Sequence, residues 1–171
     1  MPNDKGKAIR ILGIDPGYGR LGIAIVDKNP QGKETVVYSD CFETGKKENI
    51  HDRLRQIGEE VEKIISRFMP DMLAIETLFI TKNQKTAMHV AESRGIIIYE
   101  AMKHGLAIHE FSPMEIKTSI TGDGSSDKSH MIKMVHLLVD IPKDNALDDE
   151  YDAIAVALTC RARLMSRLNT A

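Results

Sequence analysis

Four acidic side chains stand where an acid has little structural reason to be. Asp15 ends the apolar run Ile11-Leu12-Gly13-Ile14, and Glu76 ends Leu73-Ala74-Ile75. Asp149 and Asp152 open the otherwise apolar stretch Ala153-Ile154-Ala155-Val156-Ala157-Leu158. Their i, i+3 spacing puts them on one helix face. Each has a bland explanation. Asp15 before Pro16-Gly17 suits a turn, Glu76 suits a strand end, and Asp149 and Asp152 suit the positive end of a helix dipole. The chemical reading is that all four converge. Two carboxylates about 5 Å apart repel by roughly 3 kcal/mol at an effective dielectric of about 20, so four together need cations. Hard divalent ions with oxygen ligands meet that need, and Mg²⁺ suits carboxylates combined with phosphate oxygens. Two such ions about 3.5–4 Å apart can activate a water and stabilise the leaving oxygen of a phosphodiester. The six histidines form no HxxxH ligand pair with a third partner and read as surface or packing residues.

Converging acids need elements to carry them. Residues 9–15 predict a buried strand stopped by Pro16-Gly17, and 22–27 a second. After the turn Asn29-Pro30-Gln31-Gly32, residues 35–44 predict a third, giving an antiparallel meander. The period then changes. Leu54, Ile57, Val61, Ile64, Ile65 and Phe68 recur at helical spacing, predicting a helix over 50–69 closed by Pro70. A short strand over 72–76, a helix over 83–103 and a strand over 107–111 follow. Gly95 inside that helix points to close packing. Ser112-Pro113-Met114-Glu115 is a capping box with proline at the first helical position. Residues 121–126 predict a flexible loop. A helix over 127–139 follows, with Met131, Ile132, Val135, Leu138 and Val139 inward. A connector over 141–147 leads to a last helix over 148–164. Three leading strands and then alternating helices and strands predict an α/β fold with a mixed sheet.

A length of 171 residues and 19.1 kDa predicts one domain over 1–171, frayed beyond about Arg167. The charge of −2 excludes an overall basic protein, so any nucleic-acid contact must be local. Setting the four acids aside turns −2 into +2, so the acidity sits where metals would neutralise it. No run reaches the ~18 apolar residues of a membrane span, and the polar start lacks a signal-peptide core. Cys41 and Cys160 form no CxxC pair. A cytoplasmic protein without disulfides is the expectation.

Several motifs together resemble the RuvC family of Holliday-junction resolvases. They are Ile11-Leu12-Gly13-Ile14-Asp15-Pro16-Gly17, Ala74-Ile75-Glu76-Thr77-Leu78-Phe79, Ser93-Arg94-Gly95, Lys117, the segment from Gly122 through Lys128 to Ser129, and Asp149-Glu150-Tyr151-Asp152-Ala153-Ile154-Ala155. They run in family order from about residue 9 to 162. The resemblance implies a ribonuclease H-like fold: a mixed five-stranded sheet, three leading antiparallel strands and flanking helices. It implies a homodimeric, Mg²⁺-dependent endonuclease that nicks opposed strands of four-way junction DNA in recombination and repair. By position it makes Asp15, Glu76, Asp149 and Asp152 the catalytic carboxylates and metal ligands, with two Mg²⁺ per site and Mn²⁺ as a substitute. Members differ at the Asp149 position, where a His can stand, and Asp148 and Glu150 lie beside it. The family works with a junction-binding protein and a branch-migration motor. Tyr18-Gly19-Arg20-Leu21-Gly22 is more compact than some resolvase openings and is similar to related nucleases of ribosomal RNA maturation.

Three basic sets could hold DNA: Lys82, Lys85 and Arg94; Lys117, Lys128 and Lys133; Arg161, Arg163 and Arg167. The third also suits a plain solvated helix face. The resemblance favours Lys117 and Lys128 as phosphate contacts beside the metals, and Phe79 as a wedge against a base, although Phe79 also suits a core plug. Paired cuts on opposed strands need two chains about a two-fold axis. The helix with Ala87, Ala91, Gly95, Ile96 and Ile97 is the candidate interface, or packs only within its own subunit.

Overall fold

The structure, a computed structural model, describes residues 9–28, 32–78, 84–143 and 145–168. In chain order the elements are β1 (Ile11–Asp15), β2 (Arg20–Lys28), β3 (Glu34–Glu43), α1 (Ile50–Phe68), β4 (Met72–Glu76), α2 (Gln84–Lys103), β5 (Ala107–Phe111), α3 (Pro113–Thr121), α4 (Lys128–Leu138) and α5 (Asp148–Leu168). The sheet order is β3-β2-β1-β4-β5. The first three strands form the expected antiparallel meander, while β4 and β5 join in parallel.

Strand alternation sorts the sheet into two faces. Leu12, Ile14, Leu21, Ile23, Ile25, Leu73 and Ile75 pack against Ile57, Val61, Ile64 and Ile65 of α1 and Ile97 and Ala101 of α2. Ile11, Ala24, Val26, Ala74 and Phe111 pack on the other face against α3, α4 and α5. Residues 153–161 of α5 are buried all round, because the sheet lies beneath them and α3 and α4 flank them. Two glycines let α5 lie so close. A Cβ on Gly13 would meet the Ala153 carbonyl oxygen at 2.2 Å, and one on Gly22 the Asp149 carbonyl oxygen at 2.1 Å.

Local signals explain most boundaries. Asn49 caps α1 by accepting from the Asp52 amide, Ser112 and Glu115 form the expected capping box of α3, and Asp127 caps α4. Some expectations need correction. The last helix continues past 164 to Leu168, so Arg167 is still helical; residues 169–171 lie outside the described set. Leu138, expected inward, ends α4 and is 42% exposed, because Val139 has already left the helix and takes the inward place. Gly95 lies in open space and marks no close packing. The segment 121–126 ties itself together: Thr121 donates to the Lys117 and Asp123 carbonyls, and Ser125 donates twice to Asp123. Arg161 is buried rather than solvated and pairs with Glu34.

Candidate active site

Register and alternation deliver the first two acids. β1 and β4 run parallel with Ile14 beside Ile75, so Asp15 and Glu76 are the next residues at neighbouring strand ends. Asp15 shares a face with Ile11 and Gly13, and Glu76 with Met72 and Ala74, which is the face covered by α5. The first turn of α5 rests on Gly22, whose strand partner is Asp15. That contact carries Asp149 and Asp152 to the same rim.

A pocket of about 320 Å³ opens there, lined by Asp15, Glu76 and Asp152 together with Lys117 and Lys128, over Ile116 and Met131. Asp149 lies just beyond the lining but close enough to act on Asp15. A larger groove, about 460 Å³, runs between α3 and α5 past Phe111, Met114 and Arg163, away from these acids.

The electrostatics separate the acids into two pairs. Burial first, then the charges of Glu76, Asp152 and Asp149, push the Asp15 carboxyl up to about 7. Burial first, then Asp152, pushes Glu76 up to about 7 against the pull of Lys117 and Lys128. No described residue donates a hydrogen bond to either carboxyl. Asp149 instead meets Arg20 at 2.7 Å, and Asp152 meets Lys128 at 2.8 Å. Burial works against the Lys128 ammonium, but Asp152, Asp148 and Asp149 outweigh it and raise its pKa.

As arranged, no three His, Cys, Asp or Glu side chains among the described residues are grouped to hold an ion jointly. Asp149 and Asp152 are instead each engaged by a cation, Arg20 and Lys128. The donor set nevertheless suits a hard divalent ion. It consists of oxygens only, and no described residue donates to its two inner acids, whose lone pairs are left open to an ion.

The elements holding the acids are themselves tied. Buried Ser93 on α2 donates to the Gly17 carbonyl at 3.1 Å, just after β1. Arg94 Nε donates to the Glu76 carbonyl at 3.2 Å, and its guanidinium pairs with Glu110 on β5. Arg94 was grouped by sequence with DNA-binding cations; here it braces the strand ends. Lys82 and the proposed wedge Phe79 lie outside the described residues. Arg20 escaped sequence reasoning. Its signal was strand phase, since Arg20, Gly22 and Ala24 alternate onto the α5 face.

A mixed sheet of this order, with acids at its carboxyl rim and at the start of its last helix, defines a ribonuclease H-like nuclease. The family described as crossover junction endodeoxyribonuclease RuvC matches residues 11–160. The chain is 40% identical over 149 residues to the RuvC of Thermosipho melanesiensis, covering 87% of this chain and 94% of that protein. It is 39% identical over 150 residues to the RuvC of Caldicellulosiruptor saccharolyticus, covering 88% and 90%. Its structure overlays on T. thermophilus RuvC in complex with a Holliday junction substrate with a TM-score of 0.83, at 26% identity, covering 95% of this chain and 97% of that one. The chain belongs to the RuvC family of crossover junction endodeoxyribonucleases.

Proposed function

We propose that this RuvC-family endonuclease nicks opposed strands of four-way junction DNA by two-metal phosphodiester hydrolysis, with Asp15, Glu76, Asp149 and Asp152 as the ligands. The observation that carries this reading is the placement of Asp15 and Glu76 on adjacent parallel strand ends, on one face, in one pocket with Asp152. Two Mg²⁺, or Mn²⁺ in their place, would supply an activated water and a charge clamp on the leaving oxygen. The chain's own residues do the rest. Asp15 and Glu76 offer desolvated carboxylates. Lys117 and Lys128 line the same pocket and suit a bound phosphate. Phe79 keeps its role as a wedge on the strength of the family resemblance alone.

One chain offers one such site, so paired nicks call for a homodimer. Of the residues expected at the α2 interface, Ala91 and Gly95 are exposed and suit it. Ala87 and Ile97 are buried within the subunit, whereas Met88, Tyr99 and Met102 are more than half exposed and Ala91 and Gly95 lie beside them. Tyr99→Glu should then shift the protein toward monomers in sedimentation, and an unchanged dimer would discard this face. A junction-binding protein and a branch-migration motor are the expected partners of this single nuclease domain. No described helix is long and apolar enough to cross a membrane.

The deciding experiment compares nicking of a synthetic four-way junction and a linear duplex, with and without Mg²⁺. Cutting of the junction alone, only with metal, is expected. Equal cutting of both DNAs, or cutting in a chelator, would overturn the reading.

A further inference from the structure

Glu150 lies between two proposed metal ligands, yet it does not face their pocket. Its side chain is 1% exposed. It accepts from Ser39 Oγ on β3 at 2.5 Å, from Lys143 Nζ at 2.8 Å and from the Leu147 amide at 2.9 Å. The last bond has a structural logic. The Leu147 carbonyl accepts from the Glu150 and Tyr151 amides, so Leu147 holds the capping position of α5 and Glu150 the third helical position. A capping box needs a hydroxyl or carboxyl at the first place and a Glu at the second. Here leucine cannot supply its half. The helix start is therefore one-sided, and it crowds Asp148, Asp149, Glu150 and Asp152 into little more than one turn. With leucine at the cap, no capping side chain holds the first-turn amides of α5.

We propose that Glu150 is a positioning residue for the metal site: its buried carboxylate clamps the first turn of α5 to β3 and to the α4–α5 connector, and so sets Asp149 and Asp152. This rests on the metal-ligand reading above. Groups hydrogen-bonded to metal ligands change affinity about 10–100-fold when lost, and Glu150, which acts through the helix turn rather than on a ligand directly, belongs at the low end of that range.

The test is Mn²⁺ binding to the metal-free full chain, followed by calorimetry or by the free-Mn²⁺ electron paramagnetic resonance signal, with no DNA present. Melting temperature and junction binding in chelator are measured alongside. Glu150→Gln should weaken Mn²⁺ binding by roughly tenfold while junction binding stays within about twofold. Wild-type Mn²⁺ affinity in this variant, whatever its melting temperature, would reduce Glu150 to a fold residue and overturn the proposal. Should Glu150→Gln not fold, Ser39→Ala keeps the carboxylate and removes one of its donors. A weakening of roughly threefold is expected there, and unchanged affinity overturns the proposal. Asp152→Asn separates the two claims. Loss of Mn²⁺ binding there with none in Glu150→Gln discards only the clamp. Retention in Asp152→Asn discards the ligand assignment and the clamp with it.

Discussion

The acids on the strands and the acids on α5 meet at one rim but are kept there in opposite ways. Asp15 and Glu76 are fixed by the sheet, half-buried and given no hydrogen bond by a described residue, and both are pushed up to about 7. Asp149 and Asp152 sit on a helix start, stay partly solvated and are each paired with a long cationic side chain. In the metal-free protein protons balance the inner pair increasingly below about pH 7, and Arg20 and Lys128 balance the outer pair. A divalent ion would replace both kinds of balance at once. On the proposed reading the strand pair would provide fixed geometry, and the helix pair ligands that exchange their cationic partners for an ion.

Removing one inner acid breaks this arrangement most severely. Asp15→Asn should lower junction cleavage by a factor on the order of 10³ or more, since several kcal/mol of charge stabilisation depend on the ions it helps hold. Binding to the junction in chelator should persist. Near-normal cutting by this variant would refute the assignment. The same change has an opposite effect on stability. The folded pKa values of Asp15 and Glu76 lie above their ordinary values of 3.8 and 4.5. From about pH 4 to 7 the folded chain holds more protons than the unfolded chain, so these two groups lower stability as pH rises, fully so above about 7. In chelator, Asp15→Asn should therefore melt higher than wild type at pH 8, by on the order of 5 °C, and show no such gain at pH 4. A melting difference that does not change between those pH values would show that Asp15 is not held at a raised pKa. For the same reason, Mg²⁺-dependent cleavage should decline below about pH 7, as protons compete with metal for the inner acids.

Lys128 tests the outer pair more gently. It bonds Asp152 and also lines the pocket where a phosphate would lie. Lys128→Ala should reduce cleavage roughly tenfold and lower the slope of junction affinity against salt by about one. An unchanged slope would leave Lys128 as a counter-ion of Asp152 and nothing more.

The strand acids were legible in the sequence because they break apolar runs, and alternation places such residues without ambiguity. The capping box at Ser112 was legible because its chemistry is local. The outward face of α2 was not. Met88, Ala91, Tyr99 and Met102 are as apolar as the buried Ala87, Ile97 and Ala101, so periodicity cannot tell the outer face from the inner one. The charged partners were not legible either. Arg20 and Asp149 are brought together by the register of β2 and the seat of α5 on Gly22. Arg94 looked like a free cation because nothing in its neighbourhood of sequence announces the Glu76 carbonyl or Glu110. Glu150 looked like a spare ligand because two of its neighbours in the first turn, Asp149 and Asp152, are acids of the proposed site.

Arg20 offers the finest test of the comparison. Its side chain is about half exposed, and screening by solvent makes such an ion pair weak. If it is only a stand-in for metal at Asp149, Arg20→Gln removes a competitor. The Mg²⁺ concentration for half-maximal cleavage should then fall, by less than about fivefold. If Arg20 instead orients Asp149 toward the ions, the same variant should need more Mg²⁺. The sign of that shift separates a displaceable counter-ion from a brace, and a rise would place Arg20 with Arg94 among the residues that hold the site in shape.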